Sequence, residues 1–396
     1  MRRIYFDNNA TTPVAPEVAE AMRPYWLEDY GNASSVHWFG QRAREAVERA
    51  REEVARLIDA RPAEIIFTSG GTESDNAAIF GVVEAVWALD RGRGTPHVIT
   101  SSIEHPAVLY AVRALEKRGV EVTYLPASPG GVVDPADAER ALRPQTVLVS
   151  VMLANNEIGT LQPVEEIARL ARSRNIVCHV DAVQAVGKVP VDVERLGVDL
   201  LSLSAHKLYG PKGAGALYVR QGTVLKPLLH GGHHERDRRP GTENVPGIVG
   251  LGAAAEAAGR RLADEGRRLA ALRDRLQAGI CARLAGVRIN GDAARRQPNT
   301  LNVSFAGAEG EALVIALDLE GIACSTGSAC SSGSTEPSHV LAALGLGHSE
   351  ARSAIRLSLG RYNTDEDVDD ALEIIPAVVE RLRALSPRQP SAKVHV

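Results

Sequence analysis

The chain has 396 residues, 44% hydrophobic and 24% charged, an ordinary globular composition with enough length for two bodies around a large core. With 45 basic and 49 acidic residues its net charge is −4, which gives no electrostatic footprint for nucleic acid, and disorder is excluded by the apolar content. The four cysteines, Cys178, Cys281, Cys324 and Cys330, lie far apart except for the last two and include no C-x-x-C pair, so neither a disulfide framework nor a zinc module is expected.

The chain opens with MRRIYFDNNATTP, two arginines without an apolar stretch behind them, which predicts no secretory signal. RAREAVERAREEVARL follows as a helix with a solvated charged face. From about residue 62 to 220, seven apolar runs alternate with helical patterns: EIIF, HVIT, EVTYL, TVLVSVML, IVCHV, DLLSLS and GALYV. Such alternation predicts an α/β fold, a mostly parallel seven-stranded sheet with helices on both faces. A long Ala/Leu/Arg helix is expected from Pro246 to near Leu284, then a strand (NTLNVSF), a helix (GEALVIAL), a short strand at GIAC, a Gly/Ser-rich loop and a closing helix from about Asp365. This pattern predicts a smaller α+β body of residues 1–14 and 256–387 beside a large one of 15–255, with a frayed tail at 388–396. The weakly polar stretch from Gly247 to Gly259 is broken by Glu256 and too short to span a bilayer, so a cytoplasmic protein without membrane contact is expected.

Parallel sheets bind ligands at the carboxyl ends of their strands. The polar residues collect there. EIIF runs into SGGTESDN, where glycine amides, the Thr72 hydroxyl and a helix N-terminus could hold a phosphate, although a plain helix cap fits the same residues. IVCHV runs into Asp181, a carboxylate that is costly at a strand end unless a cap, a salt bridge or a cationic ring meets it. LLSLS runs into AHK. The chain has six lysines, and Lys207 alone follows a strand directly among small and polar neighbours. Lys212, in the Gly/Pro turn beyond, is its close rival, whereas Lys188 and Lys226 precede Pro-containing segments without polar convergence. A lysine, a carboxylate and a phosphate loop at one sheet edge are what pyridoxal 5'-phosphate requires: an amine to hold it, an acid for its ring nitrogen and a cradle for its phosphate. His105, at another strand end, could stack on the ring and move protons, or be merely structural.

FDNNATTP, GGTESDN, EHPAV, ANNEIGT, HVDAVQAVGK, SAHKLYGPKG, GGHHERDRRPGTENV, STGSACSSGSTEPSHVL and IRLSLGR together resemble the NifS/IscS-type cysteine desulfurases, pyridoxal-phosphate enzymes of the class V aminotransferase group with the type I transferase fold. The resemblance runs from Tyr5 to about Pro387. It implies that Lys207 holds the cofactor, Asp181 faces the pyridine nitrogen, and Gln184 and Asn155 bond its phenolic oxygen or the substrate. It also implies a phosphate site of Gly71, Thr72, Ser204 and His206, completed by Thr242 from the other subunit of a homodimer, and a substrate carboxylate clamped by Arg356. Cys330 would take sulfur from L-cysteine as a persulfide, release L-alanine, and pass the sulfur to an acceptor or iron–sulfur scaffold protein. A polar irregular loop suits that double task better than the buried site usual for a lone cysteine. A lyase for selenocysteine or another β-substituted amino acid, and a catalytically silent scaffold of the same fold, are the alternatives. Two features depart from the family pattern. The run HGGHHER opens a metal reading through His230, His233, His234 and Glu235, against which Gly231 and Gly232 suggest a loop at a subunit contact. Cys324, at the end of GIAC, is expected to be a buried thiol.

Overall fold

The computed structural model describes residues 2–89, 94–326 and 337–385. Its strands are β1 (Ile4–Tyr5), β2 (Ile65–Thr68), β3 (His97–Ser101), β4 (Glu121–Leu125), β5 (Thr146–Ser150), β6 (Val177–Asp181), β7 (Leu200–Ser204), β8 (Gly215–Val219), β9 (Val287–Asn290), β10 (Thr300–Phe305), β11 (Ile322–Ala323) and β12 (Ala354–Ser358). All seven apolar runs form strands of one sheet, ordered β2-β8-β7-β6-β5-β3-β4. The pairs among β3 to β7 are parallel, and β8 alone runs antiparallel to both its neighbours, so the sheet is mostly parallel as expected. Its inner strands are apolar on both faces because helices cover both.

A second core gathers Phe6, Leu276, Phe305 and Ile355 around an antiparallel sheet of order β12-β10-β9. Beside it β1 pairs in parallel with β11. Only β10 and β11 of these strands are expected from sequence. β1 is two residues long, β9 carries Arg288 in a four-residue run, and β12 holds Arg356 at its centre, so none shows an apolar period long enough to read. The 39-residue helix Val245–Arg283 is capped by Asn244, whose side chain accepts from the Gly247 amide. It spans about 58 Å at 1.5 Å per residue. Its first turns pack in the large core and its last turns in the second, so it links the two. Among the described residues no helix is long and apolar enough to cross a membrane.

Two consequences of this layout make the site. The carboxyl ends of β2, β3, β5, β6 and β7 lie along one edge, and β8, reversed, begins there. Gly215 opens β8 against the Gly70–Gly71 turn so closely that a Cβ would sit 2.6 Å from the Gly70 Cα, so a side chain would push that turn off the sheet. The N-terminal strap, residues 6–12, then crosses from the second core to the same edge, anchored by the Asp7–Ser358 bridge and by Thr12 to His206.

Candidate active site

A cavity of about 220 Å³ opens where strap, sheet edge and β12 meet. It is lined by Gly71, Thr72, His105, Asp181, Gln184, Ser204, His206, Lys207 and Arg356, nine residues singled out from sequence, now side by side. Helix Gly71–Leu89 begins at it, so its free backbone N–H groups and the Thr72 hydroxyl form one end, suited to an anionic group. Gly71 is needed there, because a Cβ would meet Val183 Cγ2 at 2.7 Å.

Lys207 leaves β7 in a single 3-10 turn, Ala205–Lys207. Its Nζ donates to the backbone carbonyls of Asn9 and Ala10, each at 2.6 Å. Lys212 is exposed and does not line the cavity, which separates the two rivals. Lys188 is a correction. It has the polar convergence that sequence denies it: its Nζ donates to Gln184 Oε1 at 2.6 Å and Asn9 Oδ1 at 3.0 Å. Burial, and then the nearby Lys207 and Arg356, push its amine well below the usual lysine range.

Asp181 ends β6, and its Oδ1 accepts from the Val183 amide at 2.9 Å. Burial raises its pKa to about 6, opposed by that hydrogen bond and by Lys207. Behind it stand two acids that sequence did not single out. Asp75 lines the cavity with a buried Oδ1 that has no hydrogen-bond partner among the described residues, and burial followed by the Asp181 charge pushes its pKa well up. Glu104 accepts from Ser101 Oγ at 2.5 Å and the Met152 amide at 3.0 Å, yet burial still raises it to about 8. His179 lies 3.6 Å from Asp75 but is not its counter-ion: burial lowers it to about 3, and its two nitrogens face Ser150 and Ser202 hydroxyls. This pocket of acids therefore favours a ligand that brings its own N–H. Both acids had a signal in the sequence, Asp75 one turn after Thr72 and Glu104 immediately before His105.

His105 caps helix Pro106–Glu116, its Nδ1 accepting from the Ala107 amide at 3.1 Å. With Nδ1 an acceptor, a neutral ring carries its proton on Nε2. Burial, Lys207 and His339 hold its pKa down at about 4. His206, lowered to about 4 by burial and by Lys207, bonds Thr11 Oγ1 at 3.1 Å. Arg356, 1% exposed, donates from one terminal nitrogen to the Asn156 carbonyl at 2.9 Å and from the other to Asp7 Oδ1 at 2.7 Å. Those bonds use two of its five N–H groups, which leaves a fork for a carboxylate.

Two predicted residues lie elsewhere. Asn155 is buried beneath the cavity, donating to the Ile103 carbonyl and accepting from the Glu157 and Ile158 amides, while Asn156 lines the cavity. Thr242 is exposed in a separate depression with Ser69, Glu235 and Arg239. Cys330 lies outside the described residues. The described chain on either side of it is tied to the cavity walls: Ser325 exchanges backbone bonds with Arg356, Ser338 Oγ donates to Glu157 Oε2 at 2.5 Å, and His339 Nε2 meets the Glu104 carbonyl at 2.9 Å. In the HGGHHER run, Glu235 turns inward to a buried bidentate pair with Arg51, and no cluster of metal-ligating side chains occurs among the described residues.

A sheet edge with a lysine, an acid and a helix N-terminus around one cavity defines a class of cofactor-dependent enzymes. The chain belongs to the class-V aminotransferase family, whose sequence model matches residues 4–371. Over 394 residues it is 50% identical to the cysteine desulfurase IscS of Dictyoglomus turgidum, covering 100% of this chain and 99% of that protein. It is 51% identical over 389 residues to the cysteine desulfurase IscS of Methanosarcina thermophila, covering 98% and 95%. A solved NifS-like protein superposes with a TM-score of 0.89 at 41% identity, covering 96% of this chain and 100% of that one. A structure described as SspA in complex with cysteine superposes with 0.80 at 39% identity, covering 91% and 100%. The resemblance to NifS/IscS-type desulfurases is borne out.

Proposed function

We propose that the protein is a cysteine desulfurase that works with pyridoxal 5'-phosphate, converting L-cysteine to L-alanine and a persulfide on Cys330. The observation that carries this reading is the convergence of Lys207, Asp181 and the helix N-terminus at Gly71 on one cavity, in a chain half identical to desulfurases along its whole length. The residues fit the group: the buried Asp75 oxygen, unpartnered among the described residues, and the raised Asp181 call for a ring N–H, and the helix that starts at Gly71 turns free backbone amides to the cavity for a phosphate. When bound, pyridoxal phosphate supplies an electron sink for breaking bonds at the substrate Cα and Cβ.

The chain's own groups do the rest. Lys207 would hold the cofactor, and its amine, once released, would carry the proton to and from the substrate Cα. Asp181 would accept from the pyridine N–H, and Gln184 would donate to the phenolic oxygen. The amides at Gly71 with Thr72, Ser204 and His206 would hold the phosphate, with Thr242 supplied by the other subunit of a homodimer; its exposure on a separate face supports a role outside its own cavity. Arg356 forks the substrate carboxylate while Asp7 and Asn156 fix its other edge. His105 offers an Nε2–H to the reacting region. Protonating Nδ1 would break its cap, so proton transfer runs through Nε2. The large body, 15–255, holds the cofactor, and the small body, 1–14 and 256–387, brings Arg356 and the Cys330 segment to it. The persulfide sulfur passes to an acceptor such as an iron–sulfur scaffold in the cytoplasm. Alanine and sulfide from cysteine and a thiol, with Cys330→Ala retaining the spectral response to cysteine but forming no persulfide, test the proposal; normal persulfide yield in that variant overturns it.

A further inference from the structure

Lys188 sits in the turn after β6, and its Nζ, protonated or neutral, has enough N–H groups to donate to both of its amide neighbours. Its partners are therefore forced to present oxygen. The Gln184 amide, which could sit either way round, has Oε1 toward Lys188 at 2.6 Å and so turns its NH2 to the cavity and to the Asn9 carbonyl at 2.9 Å. The same holds for Asn9. Its Oδ1 receives Lys188 at 3.0 Å and the Asn299 amide at 3.0 Å, which leaves its own NH2 for Thr300 Oγ1 at 2.8 Å and the Asn156 carbonyl at 3.2 Å. The Asn9 carbonyl oxygen then lies between Gln184 and Lys207 Nζ, which it receives at 2.6 Å. One lysine thus orders two amides that border the Lys207 amine.

The placement is costly, which argues for a use. Lys188 takes two amide oxygens as partners rather than a carboxylate, and the charged groups near it, Lys207 and Arg356, have its own sign, as does its influence on His206. Asp181, on the same turn, is committed to the Val183 amide. The Asn9 carbonyl holds the Gln184 NH2 at 2.9 Å and Lys188 holds its oxygen from the other side, so the two together fix which end of the amide faces the cavity.

We propose that Lys188 is a positioning residue: it turns the Gln184 amide so that its NH2 faces the phenolic edge of pyridoxal phosphate, and through Asn9 it fixes the carbonyl beside Lys207. This rests on the cofactor reading above. A phenolic oxygen is an acceptor when ionised, so a fixed NH2 donor favours its anionic form, whereas an inverted amide would set oxygen against oxygen.

The test uses full-length apo-protein titrated with pyridoxal phosphate, together with the pH midpoint of the loaded protein's visible absorption. Lys188→Met is expected to weaken cofactor binding about tenfold and to raise the midpoint by about one pH unit, the loss of one hydrogen bond from the Gln184 amide. In a Gln184→Ala background, Lys188→Met should have a clearly smaller effect on either quantity, because only the route through Asn9 remains. Gln184→Glu, which still accepts from Lys188 but can donate neither to the cofactor nor to the Asn9 carbonyl, should shift the midpoint at least as far as Gln184→Ala, so the inference stays testable if Lys188→Met fails to fold. An unshifted midpoint in Lys188→Met with only a lower Tm, equal effects in both backgrounds, or a wild-type midpoint in Gln184→Glu overturns the inference. Wild-type protein that binds no pyridoxal phosphate sinks the cofactor reading itself, a result distinct from all of these.

Discussion

On the sheet side of the cavity stand Asp75, Glu104 and Asp181, all with pKa values raised chiefly by burial. On the strap side stand Lys188 and Arg356, and Lys207 lies between the two sides, its amine held by strap carbonyls. Among the described residues the acids bond hydroxyls and backbone amides, and the lysines bond carbonyl and amide oxygens. A single small cavity is thus kept electrically divided. A ligand with an N–H at one end of a ring and anionic oxygens elsewhere completes both sides at once, and burial ensures that each group is strengthened by its arrival rather than screened.

Removing the amine between the two sides should have the largest effect. Lys207→Ala is expected to abolish borohydride trapping of the cofactor and to lower turnover by about 10²–10⁴-fold, the range for loss of a positioned proton carrier. Trapping that survives in Lys207→Ala and disappears in Lys212→Ala would reverse the assignment. On the cationic side, Arg356→Lys keeps the charge but loses the fork. We expect its KM for cysteine to rise roughly 10- to 100-fold, the equivalent of one strong charge-assisted bond, with cofactor trapping unchanged. A variant that loses the cofactor and keeps its KM would place Arg356 on the wrong ligand.

The acidic side sharpens the contrast through pH. Glu104 has a folded pKa of about 8 against an ordinary 4.5. Its raised value means that the folded state holds a proton that the unfolded state has released, so its contribution is fully present below about pH 4.5 and is lost as pH rises through about 8. Glu104→Gln mimics the protonated acid and keeps acceptors for Ser101 and Met152. The stability of wild type relative to Glu104→Gln should fall by roughly 1–3 kcal/mol between pH 5 and pH 8, read from apo-protein melts. Parallel curves for the two proteins would show that the acid is not held neutral.

Much of this cavity was legible in the sequence because the sheet announces its own edge. Seven apolar runs with polar residues at their ends locate Thr72, His105, Asp181 and Lys207 before any coordinates exist. The strap, by contrast, gives β1 only two residues, and Asn9 acts through a carbonyl oxygen that every residue possesses. Lys188 looked idle because its partners, Gln184 four residues earlier and Asn9 at the other end of the chain, are amides and not opposite charges. Asp75 and Glu104 were overlooked for a related reason. Acids in a helix's first turns or before a histidine read as caps, and only burial reveals them as neutral. Asn155 was placed in the cavity on a motif, whereas its amide is occupied in holding the 155–158 turn.

The smallest effect is expected at Cys324, directly behind the cationic side. It follows β11 in the second core, 9% exposed, and burial, with Asp7 adding to it and Arg356 opposing, pushes its thiol up to about 12. Alkylation needs the thiolate. At pH 8 a thiol with that pKa is ionised in only about one molecule in 10⁴, and its burial denies the reagent an approach. Cys281, on the outer face of the long helix, is exposed. Native, cofactor-loaded protein should therefore be alkylated rapidly at Cys281 and at the proposed sulfur carrier Cys330, and at Cys324 only after denaturation. Cys324→Ala should lose roughly 1 kcal/mol of stability, as for a small buried side chain, and leave cysteine turnover within about twofold. Cys330 comes six positions after Cys324, so a disulfide between them would require the intervening chain to fold back to a Cα separation of about 7 Å or less. Rapid native labelling of Cys324, or an oxidised Cys324–Cys330 peptide seen by mass spectrometry, would contradict this and give the cationic side a redox role.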